Sequence, residues 1–176
     1  MRRTILLLAS MAMVLVLASG AAFAVLSFAS GGFIERVAIA RETSATTSSS
    51  TSFVDIPGAA VSVFVPSGSS KLIMARYSAE SACSGGTGSQ YCSVRIVARN
   101  SATGAITELQ PASGLDFAFD STGAGRETAS SWESHSMDRS NRLGAGSYTI
   151  RAQRAVTSSA TAFRLDDWSL TVEQSQ

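Results

Sequence analysis

Phe163-Arg164-Leu165-Asp166-Asp167-Trp168-Ser169-Leu170-Thr171-Val172 alternates apolar and polar residues, then slips by one position. Phe163 and Leu165 share one parity, whereas Trp168, Leu170 and Val172 share the other. A β-strand turns successive side chains to opposite faces, so a one-residue slip sends part of an apolar set to water. One extra residue at Asp166-Asp167 restores the phase, and the pattern predicts a β-bulge there. The segment is therefore a strand with one buried face.

The same period of two recurs upstream. Val61, Val63 and Val65 alternate with Ser62 and Phe64, and Pro66-Ser67-Gly68 follows as a turn. Leu72 to Tyr77 is a second run. Cys92, Val94, Ile96 and Ala98 share a face opposite Ser93, Arg95, Val97 and Arg99, and Asn100 to Gly104 turns the chain toward Ile106. Leu115, Phe117 and Phe119 oppose Asp116, Ala118 and Asp120; Tyr148, Ile150 and Ala152 oppose Thr149, Arg151 and Gln153. About eight short strands with Gly/Ser turns and no convincing helix predict an all-β domain. The expected architecture is an antiparallel two-sheet β-sandwich, with a jelly roll the favoured topology. Arg95, Arg99, Arg151 and Arg164 are expected to point to water.

Leu143-Gly144-Ala145-Gly146-Ser147-Tyr148-Thr149-Ile150-Arg151-Ala152-Gln153, followed by the strand Phe163 to Val172, is similar to the closing hairpin of bacterial and phage exported jelly rolls. Those domains resemble the C1q/TNF-like group. The resemblance implies a jelly roll that binds other molecules at its surface, often as a trimer, and is not generally enzymatic.

The N-terminus fixes the expected compartment. Arg2 and Arg3 precede the apolar run Ile5 to Leu17, and Ala22-Phe23-Ala24 is a small-x-small cleavage site. Residues 1–24 thus have the form of an export signal, with retention as an anchor the alternative. The arginine pair also fits twin-arginine export. The mature chain is expected outside the cell or at its surface. Residues 25–52 are expected to be a flexible segment. Phe33, Ile34, Val37 and Ala38 fall at helix-like spacing, and Ser44 to Ser52 is a Ser/Thr tract too polar to bury itself. The folded domain is expected over 53–176, ordinary in size for one core.

A net charge of +1 argues against nucleic-acid binding, which needs clustered cations. Lys71 is the only lysine among 14 basic residues, so arginine supplies nearly all the positive charge. Nothing beyond the leader calls for a membrane.

Cys83 and Cys92 bracket a Gly-rich stretch and are expected to form a disulfide in an oxidising compartment. The Gly-rich stretch lacks the Lys and following helix of a phosphate loop. A single His gives no metal motif, and no cofactor is expected. Trp132, Glu133 and His135 lie in Thr128 to Ser136, a segment apolar on neither face, as edge or groove-lining strands are. Two readings of Trp132 stay open. It plugs one end of the core, or it stacks a sugar ring with Glu133 and His135 as polar neighbours. No Gly-x-Ser-x-Gly elbow occurs, so a Ser-His-acid hydrolase using His135 is the alternative rather than the leading reading. Asp116 and Asp120 are expected on a solvated face, and Arg164 is expected to pair with Asp166 or Asp167. The sequence thus favours an exported, non-enzymatic β-sandwich that binds a glycan or an extracellular protein. A structural homo-oligomer is a further reading.

Overall fold

The computed structural model describes residues 32–112 and 117–176, in one compact unit over Gly31–Gln176. The expected export signal over 1–24, Leu115 and Asp116 lie outside the described residues. Eight strands follow in order: β1 (Ile34–Glu42), β2 (Thr46–Ser48), β3 (Val54–Gly85), β4 (Tyr91–Asn100), β5 (Ile106–Glu108), β6 (Asp120–Ser121), β7 (Glu133–Val156) and β8 (Thr161–Ser175). All pairings are antiparallel, in the order β1-β8-β3-β7-β4-β5, with β2 on β8 and β6 on β4.

Two long strands organise the sheet. β3 and β7 run past each other from Val54↔Arg154 to Ser81↔Glu133, and their register shifts between Val65 and Ser70. Pro66-Ser67-Gly68 stands on one strand at this shift and Gly144-Ala145-Gly146 on the other. Proline removes a ladder donor, and the φ of +150° at Gly146 is one that L side chains rarely adopt, so both strands bend there. β8 pairs with β3 only beyond the bend, whereas β4 pairs with β7 only on the other side of it. Yet the Trp168 ring of β8 lies 3.5 Å from the Cβ position of Gly58, and Gln174 Nε2 donates to the Phe64 carbonyl at 3.1 Å. These contacts lay β8 across the first half of β3, which is consistent with a β-sandwich formed by folding one sheet over itself.

The core holds Val61, Val63, Val65, Ile73, Tyr77, Ile96, Ile150, Phe163, Leu165, Trp168 and Leu170, all buried. Tyr77 is the hub, with its ring 5.9 Å from Phe119 and 6.2 Å from Trp168. Burial pushes its phenol well above the ordinary tyrosine range. The bulge expected at Asp166-Asp167 is present. The β3–β8 register shifts between Ser78↔Ser169 and Glu80↔Asp166, and Asp167 has φ 42°. Phe163, Leu165, Trp168, Leu170 and Val172 are all buried as a result.

Several expectations are corrected. The helix-like spacing after Phe33 resolves as strand β1, because Ala38 and Ala40 pack inward on β8 while Val37 and Ile39 face out. The Ser/Thr tract is not wholly a tether. Thr46–Ser48 pairs with β8, and the buried Arg154 guanidinium donates to the Thr46 and Thr47 carbonyls at 3.1 Å each. Desolvation holds the Arg154 pKa below the usual arginine value, although the neighbouring Tyr77 opposes the shift. Only Asp120–Ser121 is strand near Phe119. Arg99 is exposed, but Arg95, Arg151 and Arg164 are half-buried and engaged: Arg95 with Gln153, Arg151 with Asp55, Arg164 with the Ala129 carbonyl.

Candidate functional site

The disulfide locates the site. Cys83 and Cys92 are bonded, with Cα atoms 5.9 Å apart, and join the end of β3 to the start of β4. Cys92 pairs with Asp120 across β6, and Ser81 stands two residues before Cys83 on β3. Ser81 opposes Glu133, and Ala79 opposes His135. Directly opposed residues share a face, and so do residues two apart. Ser81, Glu133 and His135 therefore continue the inward face that carries Tyr77 and Met137, out to the end of the sheet where it meets solvent. Phe119 walls the inner side, with its ring edge-on to His135 at 5.6 Å.

Ser81 is wholly buried, and Asp120 is 8% exposed. The Ser81 hydroxyl lies 2.7 Å from Asp120 Oδ2 and 3.0 Å from His135 Nδ1. A carboxylate only accepts, so the single Ser81 proton goes to Asp120. In that arrangement His135 Nδ1–H donates to the Ser81 oxygen; the roles at this contact follow the imidazole tautomer. Asp120 Oδ1 accepts the Ser121 N–H at 2.6 Å. The other imidazole nitrogen, Nε2, faces Glu133 Oε2 at 3.4 Å, where the side chains are 30% and 60% exposed.

This order of protons differs from that of an activated serine. An activated serine gives its proton to the imidazole, which is oriented by an acid behind it. Here the donor chain runs from His135 through Ser81 to Asp120, and the serine oxygen is sealed from solvent. What reaches solvent is the Nε2 edge of His135 and the Glu133 carboxylate. Asp120, Glu133 and His135 each offer a ligand atom, all within 4.8 Å of one another. One imidazole and two carboxylates are donors that suit a divalent cation, and a fixed Nδ1–H is the usual outer support for a His ligand.

The structure brings Glu133 and His135 together and sets Trp132 apart. The Arg164 guanidinium lies over the Trp132 ring, 4.7 Å from its centroid, and also donates to the Ala129 carbonyl. Arg164 alternates with the inward-facing Phe163 and Leu165, so it holds the half-buried indole on the opposite side of the sheet from Glu133 and His135. The expected partner of Arg164 at the bulge is thus replaced by Trp132; Asp166 instead accepts the Asp167 N–H. Asp120, expected on a solvated face, turns inward. Ser81 carried no signal in so serine-rich a chain. Asp120 was hidden because β6 takes its register from Cys92 rather than from the Phe117-Phe119 alternation. Glu133 to Arg139 pair with β3 on one side, and the first contact on the other is the Gln110↔Ser140 bridge. Of the segment expected as an edge or groove-lining strand, Glu133–Ser136 is thus strand with β3 on one side, whereas 128–132 is turn and irregular chain.

No family model matches the chain, and no curated protein matches it. Among solved structures, it is similar to dimeric latent PorU from Porphyromonas gingivalis, at TM-score 0.32 and 13% identity. The alignment covers 85% of this chain and 14% of that one, and a likeness of this degree carries no functional argument. No helix among the described residues is long and apolar enough to cross a membrane, and the disulfide fits an oxidising, extracellular-type environment.

Proposed function

We propose that the chain is an exported, non-enzymatic interaction module of jelly-roll type that binds its ligand at the Glu133–His135 end. What supports it is the setting of Ser81, wholly buried with its hydroxyl 2.7 Å from the Asp120 carboxylate, an arrangement that sends its proton to Asp120 rather than to His135. The one His-Ser-acid constellation is wired to hold an imidazole edge and a carboxylate still, facing solvent, rather than to activate the serine. Preorganised polar groups at the rim of an apolar core are what a binding end needs. The ligand is a glycan or a segment of an extracellular protein that offers hydrogen-bond donors to Glu133. Trp132, covered by Arg164 and turned away, stands outside this contact.

Binding of the exported protein to a glycan array and to immobilised cell-surface proteins tests the reading. Glu133→Gln should abolish whatever binding the wild type shows, and Trp132→Ala should leave it intact. The hydrolase alternative would show as ester or glycoside turnover that Ser81→Ala removes, and that result would overturn the proposal.

A further inference from the structure

β1 ends the sheet, and its outer edge pairs with no described strand. Sheet edges are ordinarily blunted by charge or proline at their centre. β1 has neither there: Val37-Ala38-Ile39-Ala40 is uncharged, and Val37 and Ile39 are 51% and 58% exposed. The charges sit at its two ends, with Glu35 and Arg36 before this run and Arg41 and Glu42 after it. We propose that two copies of the chain pair through β1, antiparallel and edge to edge, about a two-fold axis at Ile39. This contact is separate from the Glu133–His135 end.

The occupant follows from the sequence of the edge. Antiparallel pairing about Ile39 sets Arg36 against the partner's Glu42, Val37 against the aliphatic stem of the partner's Arg41, Ala38 against the partner's Ala40 and Ile39 against its own copy. Both charge pairs are then opposite in sign, and the centre is apolar. A C2 interface requires such self-complementarity, which an unrelated strand would match only by chance. Local structure sets the limits of the pairing. The β1–β8 register shifts at Glu35, which belongs to Lys71 of its own chain, so the regular strand starts at Arg36. At the other end, Glu42 Oε1 accepts the Thr43 and Ser44 N–H groups at 2.9 and 3.2 Å. Those bonds fix the carboxylate and leave Oε2 for an arginine. Val37 and Ile39 face outward beside Glu173 and Thr171 of β8, so pairing covers the two exposed apolar side chains of β1 itself.

Sedimentation equilibrium of the exported protein tests this. A pairing of one short strand predicts a reversible dimer with dissociation in roughly the micromolar range. R36E and E42R, both at exposed positions, should each be monomeric, because each places like charges opposite each other twice. Their equimolar mixture should dimerise again, since the heterodimer restores both pairs. Ile39→Lys should be monomeric in any mixture. A wild type that stays monomeric up to about 100 µM, single variants that remain dimeric, or a mixture that fails to recover would each overturn the proposal.

Discussion

Ser81 has no surface and two polar neighbours, so its removal is instructive. Ser81→Ala takes the donor from a buried carboxylate and the acceptor from His135 Nδ1. Such a loss costs about 1–3 kcal/mol, to be read as a lower urea midpoint at unchanged slope. Cys83→Ser with Cys92→Ser should cost about 2.5–3 kcal/mol by the chain-entropy estimate, and should also loosen Asp120 through its pairing with Cys92. Asp55 makes a pH prediction. Burial pushes its carboxyl up, but the Gln153 amide and the Arg151 guanidinium outweigh this and leave it below the usual carboxylate range. A depressed folded-state pKa contributes stability that is present above the unfolded value near 3.9 and is lost as pH falls through the folded value. Asp55→Asn should therefore lower the melting temperature at pH 7 and flatten the acid limb, so that the variant and the wild type converge below about pH 4.

At the scale of the element, the β8 bulge is the sharpest case of a feature readable from sequence. Apolar parity alone required an extra residue, and the structure puts it at Asp167. Deleting Asp167 should turn Trp168, Leu170 and Val172 outward and abolish folding, seen as loss of the cooperative thermal transition. Asp167→Gly keeps the residue count and suits the positive φ, so it should fold with equal or slightly higher stability. The N-terminal elements were not readable in this way. β1 and β2 hold their places through partners more than a hundred residues away, β8 and Arg154, and short-range periodicity contains no trace of those. Arg154→Met should speed amide exchange in Thr46–Ser48 while the β3–β7 ladder stays protected.

For the whole molecule, alternation along the strands was enough for the all-β antiparallel fold, and the cysteine pair for its covalent staple. The proposed binding end was legible only in part. Glu133 and His135 stood out as polar residues on a strand without an apolar face. Ser81 and Asp120 join them only once β3, β6 and β7 converge beside the disulfide, and Trp132 leaves them for Arg164. The claim that this end binds rather than cleaves rests on which nitrogen of the sole histidine carries the proton. Long-range 1H–15N NMR of His135 reads that directly, with no assignment ambiguity. A neutral ring with its proton on Nδ1, released from its Ser81 bond in Ser81→Ala, is the predicted result. A neutral ring protonated only on Nε2, with Nδ1 accepting from Ser81, would contradict it.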